Sequence, residues 1–472
     1  MIRFSSKTTF KFCCLFVVLV AVFIAPRWEQ SRTETTLSWD VSGYYMYLPA
    51  TFIYHDLKHN QFGDSIIAKY HPTPTFEQSY LHAASGNRVM KYSAGQAVVM
   101  SPFFFIAHVW AKNSATYPAD GFSFPYQICI ALGMMLIGLI GIFFLRKILI
   151  IYFKDQTVSI LLILYLLGTN YLNYIAVDQA MTHNPLFTIY ALLIYTTIRF
   201  YSKPSYGSAL SIGLLAGLAT LIRPTDIVCI LIPLCWNVST SIDLKSHFRI
   251  LWKQRKKLFL AAIGFIMVAG IQLVYWKWVT NQWLVYSYQD QGFSWLHPHI
   301  GDYTFSYNSG WLRYCPMMML AIIGLIPFWK MKTMRLAVYL FLFVNFYIVC
   351  AWDIWDYGGT AGRAMMQSYP MLAFPFAALI EWVNRRRIVM YIFYPICMLF
   401  IYLNIWWTYN AHKPNLQVYN LSAAYYWHML GRWTSNDYDL KLLDNAYSFH
   451  GIPHKFQVIY DNDFESDSSQ NK

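Results

Sequence analysis

The sequence predicts an all-α integral membrane protein with about eleven transmembrane helices and a long first loop on the outer side of the membrane. Of its 472 residues, 57% are hydrophobic and 12% are charged, and that charged fraction is about half of what soluble domains carry. A soluble protein of this size could not bury so much apolar surface. Apolar runs also recur along the chain at close to the ~20 residues that a membrane-spanning helix needs.

The first apolar run covers residues 10–26 and follows Arg3, Lys7 and Lys11. A basic start followed by an apolar stretch is also typical of a signal peptide. The run lacks a small-x-small cleavage site, because Pro26 and Arg27 follow it directly. We therefore interpret it as an uncleaved first span.

The formal net charge is +13, which in a soluble domain would suggest a nucleic-acid partner. Here the basic residues fall in short clusters between apolar runs, as the positive-inside rule expects of cytoplasmic loops, so a nucleic-acid partner is not expected. The clusters are Arg3/Lys7/Lys11, Arg146/Lys147/Lys154, Arg199/Lys203, residues 245–257, Lys330/Lys332/Arg335 and Arg385/Arg386/Arg387.

Placing these clusters in the cytoplasm puts the amino terminus inside and the carboxyl terminus outside. The predicted spans are 10–26, 124–145, 157–170, 185–201, 207–222, 227–238, 258–279, 315–329, 336–351, 369–383 and 388–408. A further apolar stretch, 93–111, is predicted to be a re-entrant or interfacial helix, because a crossing there would invert every later loop. The segment 227–238 is too short to span without tilt or local thinning of the bilayer.

The predicted organisation is a transmembrane domain, 1–408, with a first periplasmic loop at 27–123. A short periplasmic tail, 409–472, is predicted to be disordered at its end. The sequence has no phosphate-binding glycine loop and no zinc-type spacing of Cys and His. Cys315 and Cys350 approach the outer face, where they form either a disulfide or ordinary packing contacts.

Several stretches together resemble bacterial membrane proteins of the class C glycosyltransferase (GT-C) fold. Protein O-mannosyltransferases and the aminoarabinose transferases to lipid A share that fold. The resemblance covers most of the chain up to about residue 380. The stretches are "LSWDVSGYYMYLPA" (37–50), "KYSAGQAVVMSPFFFIAH" (91–108), "DQAMTHNPLF" (178–187), "GLATLIRPTD" (217–226), "YSYQDQGFSWLHP" (286–298) and "WDYGGTAGRAMMQSYP" (355–370).

The resemblance implies a membrane transferase that moves a sugar from a polyprenyl-phosphate carrier to a hydroxyl of a cell-envelope acceptor. The acceptor is a glycan, a lipid or a protein. It also implies a site on the outer face of a bacterial inner membrane, among membrane lipids. Such a displacement needs a carboxylate to take the acceptor's proton and cations to hold the departing phosphate.

Asp40 occupies the position at which the family carries its catalytic base, and this assignment is carried over from the resemblance. The alternative is that Asp40 lies in an exposed turn or caps the helix that begins at "GYYMYLPA". Many relatives have a second acid beside the first, whereas here the neighbours are Trp39 and Val41. We therefore expect no metal cofactor, since hard cations prefer several oxygen ligands, and a divalent metal is the less favoured alternative.

Arg223, Arg363 and His183 are the candidates for binding the donor phosphate. Arg223 lies between two apolar segments on the predicted outer side, where it either binds phosphate or pairs with Asp226. Arg363 follows "YGGTAG", whose backbone could form an anion-binding nest, and the alternative for Arg363 is an ion pair with Asp353 or Asp356. His183 begins a span and is either a phosphate or acceptor ligand or simply interfacial.

Aromatic residues make up 19% of the chain, and most belong to the interfacial belt of a membrane bundle. Those in the outer loops are candidates for lining the substrate site, namely Trp39, Tyr44, Tyr45, Tyr286, Tyr288 and Trp295. Two other functions stay open. One is a transporter or flippase of lipid-linked saccharides, and the other is a non-catalytic scaffold for envelope assembly.

Overall fold

The protein is mostly helical in the computed structural model, which describes residues 5–28, 35–73, 78–238, 241–356, 362–412 and 421–443. The only strands in this described part form one antiparallel hairpin, β1 (Ser79–His82) and β2 (Asn87–Met90), with Ser79 opposite Met90. The all-α prediction is therefore confirmed for the described residues.

Helices occur at every segment that the sequence predicts to span. In the first half of the chain they are α1 (Ser6–Leu19, extended by a π turn Val20–Ile24), α2 (Asp40–Tyr45), α3 (Tyr47–Phe52), α4 (Gly63–Tyr70), α5 (Gly95–Lys112), α6 (Phe124–Tyr152), α7 (Asp155–Gly168), α8 (Tyr171–Ala176), α9 (His183–Ser202), α10 (Tyr206–Ile222) and α11 (Leu231–Cys235). In the second half they are α12 (Ser241–Lys253), α13 (Arg255–Thr280), α14 (Ile300–Phe305), α15 (Trp311–Tyr314), α16 (Met317–Ile323), α17 (Leu325–Phe328), α18 (Arg335–Ala351), α19 (Tyr369–Asn384), α20 (Arg387–Ala411), α21 (Ala423–Met429) and α22 (Asp437–Leu440).

Within the described ranges, four helices are long and apolar enough to cross a membrane, namely Ser6–Ile24, Phe124–Tyr152, Arg255–Thr280 and Arg387–Ala411. Shorter apolar helices accompany them, among them α7, α10 and α18. Their side chains are widely exposed where no other helix covers them, for example Tyr391 at 80% and Met398 at 71%. Apolar surface of this extent needs a hydrocarbon solvent, and we conclude that the chain is a membrane protein.

The chain stops being α-helical at Arg223 for a local reason. Arg223 precedes Pro224, and the proline ring disfavours the α conformation of the residue before it. Arg223 is accordingly extended (φ −140°, ψ 116°), and a 3₁₀ turn, Pro224–Ile230, follows it. The predicted span 227–238 is thus a 3₁₀ turn followed by the short helix α11. The break leaves the Arg223 guanidinium at the end of α10.

The segments predicted to be outer loops meet at one end of the bundle, which we call the Asp40 end. Asn87 of the first loop donates to the carbonyl of Val279 at 2.7 Å. Arg27, which begins the same loop, pairs with Asp178 at 3.6 Å. The predicted cytoplasmic segments meet elsewhere, since the hydroxyl of Ser6 bonds Asp155. The two predicted sets of loops therefore occupy opposite ends of the helices.

The first loop is a compact structure, in which α2 and α3 pack against α5 and the β hairpin reaches α13. The tail contributes a small second core, formed by Tyr425 and Met429 against Trp406 and Trp407 of α20. The end of the tail, predicted to be disordered, lies outside the described residues. Cys315 and Cys350 are both free thiols and buried, so the packing alternative is the one that the structure supports.

Candidate functional site

Asp40 is the first residue of α2, and the N-cap position belongs to Trp39. Trp39 has φ 51°, a conformation that a bulky L-residue rarely adopts and that costs roughly 1–3 kcal/mol. Its backbone is held there by bonds on both sides, since its N–H donates to the Pro72 carbonyl at 3.0 Å and its carbonyl accepts from Gln78 at 3.2 Å. The N-cap alternative for Asp40 is therefore wrong, and a strained residue aims the carboxylate away from its helix.

The carboxylate of Asp40 has two partners. The hydroxyl of Tyr92 donates to Oδ1 at 2.8 Å, and the guanidinium of Arg363 pairs with Oδ2 at 2.9 Å. Side-chain exposure is 28% for Asp40 and 15% for Arg363, so the pair is neither sealed from solvent nor fully in it. Arg363 thus pairs with Asp40. The sequence suggests Asp353 and Asp356 as its ion-pair partners, and Asp40 is neither of them.

Gly362 determines how Arg363 reaches Asp40. It has φ +71°, and a Cβ at this position would lie 2.2 Å from the Trp311 ring. Only glycine fits this turn without moving Trp311. From here the 3₁₀ turn Arg363–Ser368 leads into α19. The predicted anion-binding nest "YGGTAG" spans 357–362, and all of it except Gly362 lies outside the described residues.

Tyr92 comes from the stretch just before α5, and it touches Asp40 because Gly43 has no side chain. A Cβ on Gly43 would lie 2.7 Å from the Tyr92 ring and 2.3 Å from the Gln78 amide oxygen. Burial, reinforced by the charge of Asp40, holds the pKa of the Tyr92 phenol well above its usual 10. Tyr92 therefore keeps its proton and acts as a hydrogen-bond donor to the carboxylate.

An aromatic wall extends from Asp40 along the loops at this end. Tyr44 lies one turn after Asp40 in α2, and its ring centroid is 4.3 Å from that of Tyr92. Burial and the nearby Asp40 charge raise the pKa of Tyr44 above its usual value. The contacts continue from Tyr92 to Tyr288 at 6.0 Å and from Tyr288 to Trp352 at 5.4 Å.

Arg223 and His183 approach from the other side. Arg223 acts electrostatically on Tyr44 and on His183, and Arg363 acts on both as well. Arg223 also acts on Asp226, the acid proposed as its alternative partner, whose carboxylate accepts the Tyr190 hydroxyl at 2.6 Å. Arg223 and Arg363 thus lie within electrostatic range of both Tyr44 and His183.

His183 and its neighbour Gln367 are buried polar side chains whose hydrogen-bonding capacity is not fully used. His183 is fully buried, its ring lies edge-on to Tyr174 at 5.2 Å, and within the described part of the chain neither ring nitrogen has a hydrogen-bond partner. The side chain of Gln367 lies close to His183, and its amide oxygen is likewise without a partner there. Buried polar atoms are almost always hydrogen-bonded, and either a small adjustment that pairs His183 with Gln367 or a polar ligand would satisfy these groups.

The sequence-predicted residues do not all belong to the cluster. Asp40, Tyr44, His183, Arg223, Tyr288 and Arg363 come together, and Trp39 adjoins them. Tyr45 does not. Its hydroxyl donates to the Gly121 carbonyl at 2.6 Å, and its ring packs between Phe104 and Phe122.

The physical reason for the misplacement of Tyr45 is helical geometry. Because α2 is a helix, successive side chains point about 100° apart, and a residue four positions on shares a face with Asp40 whereas Tyr45 does not. Trp295 also lies away from Asp40, stacked on Phe293 at 4.7 Å. It is 47% exposed, and Phe293 connects it to the aromatic wall through Trp352 at 4.8 Å.

Sequence reasoning missed two polar residues of the site region. Tyr92 stands inside the quoted stretch 91–108 but received no role. Asp178 opens the stretch 178–187, and the positive charge of Arg363 contributes to lowering its pKa. A second acid therefore lies near the site, although it is distant from Asp40 in sequence. A sequence signal existed in both cases, since each residue is a polar group beside an apolar run.

Asp178 belongs to a partly buried charge cluster with Arg27 and His412. It lies 3.6 Å from each of them and accepts a hydrogen bond from Asn173 at 2.9 Å. Burial raises the pKa of Asp178, but His412, Arg27 and the Asn173 bond outweigh burial, so the net pKa lies below its usual value. Burial is also the main reason that the pKa of His412 falls to about 4. The cluster joins the start of the first loop, the second loop and the start of the tail.

Among the described residues, no group of three or more His, Cys, Asp or Glu side chains is arranged to hold a metal ion. No protein-family model matches the chain, and no curated protein matches it significantly. Function must therefore be argued from the geometry of the site itself.

Proposed function

We propose that this protein is a membrane glycosyltransferase. It would transfer a sugar from a polyprenyl-phosphate donor to a hydroxyl of an envelope acceptor, with Asp40 as general base. The proposal rests first on one observation, which is that Asp40 pairs with Arg363, while Arg363 and Arg223, from separate segments, both lie within electrostatic range of Tyr44 and His183. One carboxylate facing several cationic or donor groups is what displacement of a phosphate leaving group requires.

The reaction assigns one task to each group. The acceptor's oxygen attacks the anomeric carbon, and its proton passes to the Asp40 carboxylate. The bond between that carbon and the phosphate oxygen breaks, and the carrier phosphate leaves with the electron pair. Arg223 and Arg363 stabilise the phosphate charge, for which the planar guanidinium fork is well suited. His183 donates a further hydrogen bond from its buried position.

The ion pair between Asp40 and Arg363 gives the site a resting state. With Arg363 on Oδ2 and Tyr92 on Oδ1, the carboxylate is held in place while no substrate is bound. Donor phosphate competes with Asp40 for the guanidinium, and a shift of Arg363 toward the phosphate frees Oδ2 for the acceptor's proton. The same arginine would therefore couple donor binding to exposure of the base.

The aromatic wall supplies the remaining elements of such a site. Sugar rings present apolar C–H faces that pack on aromatic rings. The rings of Tyr44 and Tyr288 both contact the ring of Tyr92, whose hydroxyl bonds the Asp40 carboxylate. Trp39 adjoins Asp40, and Trp295 extends the wall through Phe293 and Trp352. These rings would also limit the access of water to the activated sugar.

The proposal includes the finer architecture. We propose a GT-C-like fold with about eleven crossings, the amino terminus in the cytoplasm and the Asp40 end in the periplasm of a bacterial inner membrane. The clustering of all predicted outer segments at the Asp40 end supports this arrangement. We propose no resident metal cofactor, because the arginines can stabilise the phosphate charge that a divalent cation would otherwise neutralise.

The experiment is a comparison of lipid-linked sugars in cells with and without the protein. Envelope lipids are extracted and analysed by mass spectrometry, with wild-type protein and the Asp40→Asn variant restored separately. Accumulation of one polyprenyl-phosphate sugar in the absence of the protein, reversed only by the wild type, is the expected result. Unchanged carrier-linked sugars would contradict the transferase assignment. Accumulation that Asp40→Asn reverses as well as the wild type does would favour a flippase or a scaffold.

A further inference from the structure

A cavity of about 190 Å³ lies at the end of the bundle opposite Asp40. Its lining residues, all of them within the described ranges, include four basic side chains and no acidic one: Tyr206, Lys253, Gln254, Arg255, Lys256 and Lys257. The cavity plays no part in the proposed transfer reaction. A concave site with this concentration of positive charge is suited to an anion.

The cavity forms where α12 ends and α13 begins, at Gln254. The ammonium of Lys257 donates to the Gln254 side-chain oxygen at 2.6 Å and lies 5.3 Å from the centre of the Tyr206 ring. The guanidinium of Arg255 lies 5.7 Å from the ring centre of Trp252. These contacts hold the charged groups of Lys257 and Arg255 in place, two of the four basic side chains that line the cavity. The positive end of the α13 dipole also lies at this junction, although the N–H groups of Lys257 and Leu258 already donate to the Gln254 carbonyl at 2.8 and 3.0 Å.

The preceding helix, α12, packs on the bundle through His247 and Leu251, which share one face of its second half. The buried ring of His247 hydrogen-bonds the Leu234 carbonyl at 2.7 Å, and Leu251, one turn later, is 8% exposed. The outward positions carry large apolar side chains, with Phe248 62% exposed and Trp252 71% exposed. Basic side chains alternate with them, since Arg249 and Lys253 follow these two residues directly. This pattern is typical of a helix that lies in a membrane interface.

The position of the cavity along the bundle fits a membrane surface. Helix α13 has 26 residues, which corresponds to about 39 Å at ~1.5 Å per residue. Its far end reaches the first loop, where Asn87 bonds Val279. The hydrocarbon core of a bilayer is about 30 Å thick, so the two ends of α13 fall near opposite headgroup layers, with the cavity at the one away from Asp40.

We propose that this cavity binds the headgroup of an anionic phospholipid. The phosphate would sit among Lys253, Arg255 and Lys256 at the start of α13, and the acyl chains would run beside the exposed rings of Phe248 and Trp252. Charge complementarity selects an anion, and the adjoining exposed apolar side chains select a lipid over a soluble phosphate. This inference is independent of the proposed transferase activity.

The test uses the purified full-length protein in a neutral detergent and measures bound lipid by native mass spectrometry. The protein is titrated with phosphatidylglycerol, with phosphatidylcholine and with inorganic phosphate as a competitor. We expect phosphatidylglycerol to bind preferentially and phosphate at millimolar concentration to leave it bound. Equal retention of both lipids, or complete displacement by inorganic phosphate, would overturn the proposal.

Variants assign the binding to the cavity. Lys253→Gln combined with Lys256→Gln should weaken phosphatidylglycerol binding roughly 25-fold, since each basic group near a membrane surface contributes about fivefold. The matched control, Lys330→Gln with Lys332→Gln, removes the same charge from another exposed basic cluster and should change affinity less than twofold. Trp252→Ser should also weaken binding, without a change of charge. Equal losses in the double variant and its control would refute the site.

Discussion

Arg363 and Asp40 form an ion pair at 2.9 Å although 323 positions separate them in the chain. The sequence predicts Asp40 as the base, with a turn or a helix cap as the alternative, and Arg363 as a phosphate ligand, with an ion pair to Asp353 or Asp356 as the alternative; it does not predict that the two residues pair with each other. The pair joins the first loop to the segment just before α19. It therefore places the candidate base and a candidate phosphate ligand within one hydrogen bond of each other.

The first prediction concerns the geometry of the Arg363 guanidinium. Arg363→Lys keeps the charge but loses the planar fork that two phosphate oxygens or a carboxylate can share. If Arg363 holds the donor phosphate, the variant should fold normally and turn over at least tenfold more slowly at saturating acceptor. The measurement is transfer activity as a function of donor concentration, together with the melting temperature.

Arg385→Lys is the matched control, because Arg385 is 72% exposed and pairs with Glu381 at the opposite end. It should leave activity unchanged. An Arg363→Lys enzyme with wild-type turnover would show that the pair with Asp40 is only structural.

The second prediction compares two tyrosines that are both buried. Tyr92→Phe removes the donor to Asp40, and hydrogen bonds to charged groups are worth roughly 1.5–3 kcal/mol. We expect turnover to fall by about tenfold or more. Tyr45→Phe removes a bond of similar length, to the Gly121 carbonyl, and should cost some stability without affecting turnover per folded molecule. Parallel losses of activity in the two variants would contradict the assignment of Tyr92 to the site.

The sequence was sufficient for the helical class and for several site residues, and the physical reasons are local. Apolar runs indicate helices wherever they occur, and the polar residues that interrupt those runs include Asp40, Arg223, Arg363 and His183. Which of these residues touch depends on packing between distant segments. That is why the Asp40–Arg363 pair and the proximity of Asp178 to Arg363 were not foreseen. Tyr45 was assigned to the site because a stretch of adjacent residues was treated as one surface, whereas a helix separates neighbours.

The third prediction is a pH dependence of stability that His412 causes. Burial lowers the pKa of His412 from 6.5 to about 4, so between these values the unfolded chain binds a proton that the folded protein does not. Stability therefore falls as the pH drops from about 6.5 to about 4. Above pH 6.5 the buried, neutral His412 no longer lowers the free energy of unfolding. The shift corresponds to at most about 3 kcal/mol. Asp178 adds to the loss only at lower pH, below its usual pKa of 3.8.

His412→Gln should flatten this part of the profile, as followed by thermal unfolding between pH 4 and 7. His297→Gln changes an exposed histidine at the same end and serves as the control. A wild-type profile that is already flat across this range would exclude the buried neutral histidine.

The fourth prediction tests the orientation. Single cysteines at Asp64 and Thr434, both exposed at the Asp40 end, should react with a membrane-impermeant thiol reagent added to intact cells. A cysteine at Lys256, at the opposite end, should react only after permeabilisation. The native thiols are all buried or half-buried, which keeps the background low. Protection of Asp64→Cys or Thr434→Cys in intact cells would overturn the proposed periplasmic placement.

The last prediction concerns the base itself. Asp40→Asn is nearly isosteric and its one amide oxygen can still accept a hydrogen bond from Tyr92, but its NH2 group replaces the oxygen that Arg363 contacts, and an amide cannot take the acceptor's proton. General-base assistance is worth roughly 10²–10⁴-fold in rate, so turnover should fall by about that factor while expression, membrane insertion and donor binding persist. Asp302→Asn is the control, because Asp302 is an exposed acid at the start of another short helix at the same end, and it should keep full activity.

Donor binding is measured separately from turnover, since loss of the ion pair frees Arg363 for phosphate and should leave donor affinity equal or higher. Turnover of purified Asp40→Asn within a few-fold of wild type would show that the carboxylate's role is to hold Arg363 and that the proton leaves by another route.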